Sequence, residues 1–335
     1  MQFTLAHGTA NDFVVLPDTG DQLVLSAELA RSLADRRRGL GGDGVIRIGA
    51  PPDDQPSAQA FMDHRNADGS HAQMCGNGVR VVAKHLVDHG LVAPDHADTV
   101  HVATRGGTKT VRIVARHDDG TVATVAVDMG PPQFEPARVP FVAADPTAVR
   151  HAVELDRAAA DAAGRDHLDV EVVSMGNPHA VVTVGSVDTA PVEVLGPALE
   201  RHERFPDGAN VGFVEVVDAS TVRLRVFERG VGETAACGTG ACAAVVALQR
   251  SGTVGDRVEV NLPGGVLTVE HADGGSVTMT GPAVEVAHGR LTDRWLAEIG
   301  GAQSATSGAT AGPGPAPATA APAASAASTA PSGSA

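Results

Sequence analysis

Tyrosine is absent from this 335-residue chain and tryptophan occurs once, so an aromatic platform for stacking single-stranded nucleic acid is excluded. Basic residues are also scarce: 25 Lys and Arg stand against 40 Asp and Glu, for a formal charge of -15. No field that gathers nucleic acid or an anionic membrane follows, and any anionic substrate has to be held by local donors. The three cysteines, Cys75, Cys237 and Cys242, are too few and too unevenly spaced for a disulfide framework. No uncharged apolar run approaches the ~20 residues of a membrane span. No charged-then-apolar leader opens the chain. These absences predict a cytoplasmic protein that acts on a small molecule, with no nucleic acid and no membrane as partner.

From Gly301 to Ala335 the chain contains only Ala, Pro, Gly, Ser, Thr and one Gln, which cannot bury enough side chain to offset ordering, and a disordered tail is expected. Before it, Val-rich runs predict strands, among them 13–16, 45–48, 100–103, 122–129, 180–184, 221–227, 257–262 and 276–281. Val79, Val82, Ala83, Leu86 and Val87 form the stripe of an amphipathic helix over 77–89, stopped by Gly90. A second helix, 239–250, is apolar nearly all round, the pattern of a helix enclosed by sheet. A last one, 292–299, carries Trp295 as a packing anchor.

The chain also echoes itself. Cys75-Gly76-Asn77-Gly78 opens the first long helix and Cys237-Gly238-Thr239-Gly240 the second. Nine residues before each cysteine lie Asn66 and Glu228. Further upstream, Asn11-Asp12-Phe13-Val14-Val15 is mirrored by Asn177-Pro178-His179-Ala180-Val181, at 64 and 60 residues from the respective cysteine. Two halves of like topology are expected. Residues 1–130 form the first, with 288–300 packing back on it, and 131–287 the second, the break falling at Gly130-Pro131-Pro132.

A cysteine at the start of a helix sits among unpaired N–H groups and the positive dipole end, which favour its thiolate. The following glycine lets a ligand approach the backbone. Two such starts facing one cleft suit the inversion of a stereocentre, in which one group removes a proton from one face of a carbon and another delivers a proton to the opposite face. One thiolate and one thiol meet that need, exchanging states at each turnover.

The segments HGTANDFVVL (7–16), RGLGGDGV (38–45), RNADGSHAQMCGNGVR (65–80), MGNPHAVV (175–182), FPDGANVGFVEV (205–216) and RVFERGVGETAACGTGACA (225–243) closely resemble the diaminopimelate epimerase family. The resemblance implies an α/β protein of α+β type, with two pseudo-symmetric domains, each wrapping mixed, mostly antiparallel strands around a central helix. It implies interconversion of LL- and meso-2,6-diaminopimelate without pyridoxal phosphate, metal or other cofactor, by a homodimer. Matched motif by motif, Cys75 and Cys237 are the opposed acid/base groups. Asn11, Asn66, Gly76, Asn77, Asn177, Asn210, Glu228, Arg229, Gly238 and Thr239 bind substrate, and His179 and Glu228 tune the thiols.

Three positions depart from the family pattern. Ala10 stands where glycine is usual and His71 where glutamate is usual, from which only an altered loop shape is expected. Gly44 stands where some members have glutamine, so a binding contact there is either missing or made by backbone or water.

Simpler readings cover the remaining residues. Cys242 lies about 140° around the helix from Cys237 and is expected to be a small core residue. No metal-ligand pattern is read for His7, His64, His85 or the other histidines, which are expected on the surface or in loops. Gly41-Gly42-Asp43-Gly44 lacks the Lys-Ser/Thr of a phosphate loop. Two rivals to the epimerase reading remain: a proline racemase-like or other amino-acid racemase, and a thiol redox or binding protein whose cysteines form a reversible disulfide.

Overall fold

Apolar runs that alternate, or are buried throughout, supply most strands of the computed structural model, which describes residues 1–72, 74–272 and 274–299. The first half runs β1 (Gln2–Gly8), β2 (Asn11–Pro17), α1 (Ala27–Ala34), β3 (Gly44–Gly49), β4 (Ala60–Asn66), α2 (Gly76–Asp88), β5 (Thr99–Ala103), β6 (Lys109–Arg116) and β7 (Val122–Asp128). The second runs β8 (His151–Glu154), α3 (Arg157–Ala163), β9 (His167–Ser174), β10 (Pro178–Thr183), α4 (Val192–Glu200), β11 (Asn210–Asp218), β12 (Thr221–Glu228), β13 (Gly232–Thr234), α5 (Gly238–Arg250), β14 (Arg257–Leu262), β15 (Gly265–His271) and β16 (Val277–Pro282). The chain closes with β17 (Val284–Arg290) and α6 (Asp293–Glu298), and all described residues belong to one compact unit.

The strand pairings repeat. From β1 to β7 each strand pairs with the next in the order antiparallel, parallel, antiparallel, parallel, antiparallel, antiparallel. The same order runs through β9, β10, β11, β12, β14, β15 and β16. Each series has one outer antiparallel neighbour, β17 on β1 and β8 on β9. A parallel pair needs a crossover. Between β4 and β5 it contains α2, and between β12 and β14 it contains α5, so equivalent places in the two halves hold the two helices that begin after cysteines.

Both helices are enclosed by strands. Helix α2 touches β1, β2, β4 to β7, β16 and β17, while α5 touches β9 to β12, β15 and β16. Every residue of α5 from Gly238 to Leu248 is buried, as its all-round apolar sequence requires. Helix α2 also buries Arg80, Lys84 and His85. Arg80 is fully enclosed and donates to Thr9 Oγ1 at 2.6 Å and to the Pro282 carbonyl at 3.2 Å. Cys242 lies in the core, and Trp295 packs against the cluster that contains Leu16, Leu29 and Leu33.

The halves join where their last strands pair, β7 with β16, Val127 opposite Met279. The return to the first half begins at Val284, the start of β17, rather than at 288, because Val284 already pairs with His7. Strands β1, β4, β8, β13 and β17 and helices α1, α3 and α4 are additions to the sequence reading. The tail expected at 301–335 lies outside the described residues. His64, in β4, and His85, in α2, are buried, contrary to the surface or loop placement expected of them.

Met279 is the side chain most exposed to the geometry of this junction. It has no solvent exposure, and Arg80 Nη1 lies 3.6 Å from its sulfur. Met279→Ala is expected to lower stability by about 2–5 kcal/mol, and Met279→Leu by less than about 1.5 kcal/mol. Urea unfolding of the three proteins checks the ranking.

Candidate active site

The two cysteines occupy equivalent N-cap positions. Cys75 is extended ahead of α2, and the Gly78 N–H donates to its Sγ at 3.4 Å. Its thiol faces Asn11 Oδ1 at 3.8 Å. Cys237 is likewise extended ahead of α5, with Sγ 3.5 Å from Thr239 Oγ1. Each helix then begins with glycine for a steric reason. A Cβ on Gly76 would stand 2.6 Å from Met279 Cε, and one on Gly238 would stand 3.0 Å from Met279 Sδ. Met279 therefore touches both helix starts, and Asn77 ties them: its Nδ2 donates to Asn11 Oδ1 and to the Ala236 carbonyl, both at 3.1 Å.

Both thiols line one inner cavity of about 130 Å³, together with Asn11, Asn66, Gly76, Asn77, Asn177, Glu228, Gly238 and Thr239. An outer lobe of about 540 Å³ shares Asn66, Asn177, Glu228 and Thr239 with it and adds Asn210 and Arg229. Twelve of the thirteen site residues expected from sequence thus meet in one two-lobed cleft. The remaining one, His179, lies beneath the wall. Its Nε2 is 2.9 Å from Asn177 Oδ1, and Asn177 Nδ2 donates to Thr239 Oγ1 at 3.4 Å. His179 therefore reaches Cys237 only through Asn177 and Thr239. Burial, reinforced by the charge of Arg229, holds its pKa down to about 3, so the ring is neutral at pH 7.

Burial also raises both thiols. Cys75 is pushed up to about 11, the Gly78 and Asn77 N–H groups and Arg80 opposing the rise and Glu228 adding to it. Cys237 is pushed well above its ordinary value by burial and by the adjacent Glu228 carboxylate, against the opposing effects of Thr239 and the Gly240 N–H. Glu228 itself is raised by burial, although Thr234 Oγ1 donates to it at 2.5 Å. The pair is therefore unequal: a buried cation stands behind Cys75 and a carboxylate beside Cys237.

Several lining residues went unread in the sequence. Asp43 accepts from Asn11 Nδ2 at 2.8 Å and so orients the amide that faces Cys75. Lys109 and Gln133 line the outer lobe, and so does His71, from which only an altered loop shape was expected. His64 lines the inner one, buried, with neither ring nitrogen hydrogen-bonded among the described residues. The space left by Gly44 explains its position, because a Cβ on Gly44 would lie 2.5 Å from His64 Nε2. Burial and the charge of Arg105 hold the His64 pKa down to about 4, leaving a neutral ring with one donor and one acceptor. The signal in the sequence was the glycine at 44. Ala10 adopts φ 59°, in the left-handed region that favours the glycine usual at that position.

Comparison with known proteins places the chain in a family. The model of the diaminopimelate epimerase family matches residues 3–135 and 171–286. Diaminopimelate epimerase of Halorhodospira halophila is 47% identical over 87% of this chain and 95% of its own length. That of Acidovorax ebreus is 45% identical over 87% of this chain and 97% of its own. A solved structure of a probable proline racemase from Agrobacterium radiobacter, 17% identical, superposes with a TM-score of 0.64 over 87% of this chain and 92% of that one, which shows a common fold.

With both thiols raised by burial, the two cysteines are protonated at neutral pH, and Cys75, the less buried of the two, is expected to react first. Alkylation of Cys75 by iodoacetamide is expected to quicken about tenfold per pH unit between pH 7 and pH 9, since only the thiolate reacts. Modification of Cys237 should lag behind it. Peptide mass spectrometry at timed intervals checks both the slope and the order.

Proposed function

The chain belongs to the diaminopimelate epimerase family, and we propose that it interconverts LL- and meso-2,6-diaminopimelate by passing protons through Cys75 and Cys237. The observation that carries this reading is the one cavity that both thiols, each at a helix N-cap, line together. A substrate α-carbon between them loses its proton to one thiolate, leaving a thiol and a planar carbanion. The opposite thiol then protonates the other face and becomes the thiolate. No atom is gained or lost by the protein over two successive turnovers in opposite directions.

The α-carboxylate belongs at the paired helix starts, where the N–H groups of Gly76, Asn77, Gly238 and Thr239 are candidates to receive it. A helix terminus supplies about 0.3–1 kcal/mol, and at most about 2 kcal/mol. Two of them fall far short of the barrier to ionising an amino-acid α-carbon, so exclusion of water and the aimed side-chain donors have to supply most of the stabilisation. The inner lobe suits a reacting amino-acid head, and His64, over Gly44, supplies a polar contact in place of a residue-44 side chain. The outer lobe suits the distal amino-acid end. Arg229 there has no carboxylate partner among the described residues: its Nη1 donates to the Asp207 carbonyl at 2.8 Å, which leaves donors of the guanidinium for a substrate carboxylate, and Asn66, Asn210 and Glu228 line the same lobe. Glu228 acts directly on Cys237, whereas His179 acts by positioning Asn177 and Thr239. A cytoplasmic homodimer completes the proposal; no described helix is long and apolar enough to cross a membrane.

Turnover of LL-diaminopimelate in D2O is expected to place deuterium on the substrate α-carbon, read by mass spectrometry. Cys75→Ala and Cys237→Ala should each lower kcat/KM by about 10²–10⁴-fold; full activity in either would refute the two-thiol mechanism. His64→Leu should raise KM roughly fivefold, the loss of about 1 kcal/mol of hydrogen bonding. An unchanged KM would remove His64 from the substrate contacts.

A further inference from the structure

We propose that His85, His89 and Glu285 form a site for a divalent transition-metal ion, zinc by the character of the donors, separate from the thiol cleft. His85 lies in the last turn of α2 and His89 is the residue that ends the helix. They are four apart, an H-x-x-x-H spacing for which no metal-ligand pattern was read in the sequence, and one that stacks two side chains on one helix face. Strand β17 passes that face and brings Glu285 between them. Glu285 Oε1 is 2.7 Å from His85 Nδ1, and Oε2 is 3.1 Å from His89 Nε2. One ligand atom from each of the three lies within 4.8 Å of the others. A fourth donor is at hand: His288, on the same strand, has Nε2 3.5 Å from Glu285 Oε2.

The donor chemistry selects the ion. Two or three imidazoles and one carboxylate make a mixed nitrogen and oxygen set, which suits zinc and excludes calcium or magnesium, ions that take oxygen alone. A tetrahedral zinc with ligands at about 2.0–2.2 Å holds its donors roughly 3.3 Å apart. The observed separations are 2.7 and 3.1 Å from the two Glu285 oxygens to His85 and His89, and all three ligand atoms lie within 4.8 Å of one another, so side-chain rotation has to draw the donors around the ion. Among the described residues, Glu285 has ion-pair contacts with these three histidines alone, so a metal would compete with no other cation.

The surroundings suit a structural ion. The His85 and Glu285 side chains are 4% and 10% exposed, whereas those of His89 and His288 are 39% and 55% exposed. One side of the site is therefore dry and the other open. A surface cavity of about 550 Å³, lined by His85, His89 and His288, gives entry from solvent. The site lies at the opposite end of α2 from Cys75, about 20 Å away along a helix of this length. It is too remote to touch the reacting carbon. Its effect would be to staple the end of α2 to β17, the strand that returns to the first half.

Equilibrium dialysis against zinc chloride tests the site. To separate this site from any zinc taken up by the cleft thiols, the wild type is compared with Cys75→Ser/Cys237→Ser. Both are expected to bind one zinc per chain at submillimolar concentration, with Tm rising on zinc addition. His89→Ala, at a half-exposed position that folding tolerates, should weaken binding at least about tenfold, and Glu285→Gln should do the same. Cobalt in place of zinc should give a spectrum without a thiolate charge-transfer band. Absence of binding by the wild type would overturn the proposal and leave a plain histidine and carboxylate cluster. So would loss of binding with the two cysteines, or affinity unchanged in both His89→Ala and Glu285→Gln.

Discussion

The arrangement of this protein depends on bringing two helix N-termini head to head. Like ends of helix dipoles repel and leave N–H groups without partners. The pairing of β7 with β16 nevertheless fixes the halves so that α2 and α5 begin on either side of Met279. Part of the unmet demand is answered within the protein: Asn77 bridges Asn11 and the Ala236 carbonyl, and the Cys75 sulfur accepts from Gly78. The rest is a standing demand for negative charge at the cavity. A chain with a formal charge of -15 can therefore favour an anionic group at one place through oriented backbone, with no excess of basic side chains.

Symmetry of fold is combined with asymmetry of charge. Equivalent helix starts give the two thiols the same backbone setting, but the residues behind them differ. Arg80 is buried with no acidic partner near Cys75, and its own pKa is lowered to about 10 by that burial. Glu228 occupies the matching side of the second half, at the end of β12 where β4 ends in Asn66. The internal echo that pairs Asn66 with Glu228 thus marks the place where the two halves were given different electrostatics. A proton shared between unequal thiols has a preferred resting place, and each unit of difference in their pKa values biases it by about 1.4 kcal/mol.

What could be read from sequence follows from how local each signal is. The C-G-x-G turns, the stripe on 77–89 and the apolar run 239–250 are determined by a few adjacent residues, and the structure has helices at both places. The missed elements carry conflicting local signals. Strand β4 contains Asp63, His64 and Arg65 in succession, a polar run that becomes a strand because it borders the cleft. Helix α4 contains Gly196 and Pro197, both of which argue against a helix locally; Phe227 packs where a side chain at 196 would stand, which is why glycine is needed. Strand β17 is half exposed and stabilised by pairing with β1, almost the whole chain away. The candidate site was legible for the same reason that the helix starts were, since its residues cluster in the mirrored motifs. His64 was not, because its meaning rests on the space above Gly44, a contact between strands.

Substrate choice resides in the part of the cleft that the fold does not dictate. The fold shared with a probable proline racemase, at 17% identity, says nothing of specificity. A small cyclic amino acid would need the inner lobe alone. Here the inner lobe continues into a chamber about four times larger, walled by Asn210, Arg229, Lys109 and Gln133. Arg229 is exposed there without a salt bridge among the described residues, while most arginines of the second half, such as Arg223 and Arg225, are paired with carboxylates. A guanidinium held by the Asp207 carbonyl and without a carboxylate partner, beside the larger chamber, favours an elongated substrate whose far end carries a carboxylate, since such a molecule would engage the thiols and Arg229 together. On the proposed two-thiol reading, binding energy gathered at that far end would serve to hold the α-carbon between the two sulfurs, where positional accuracy governs the rate.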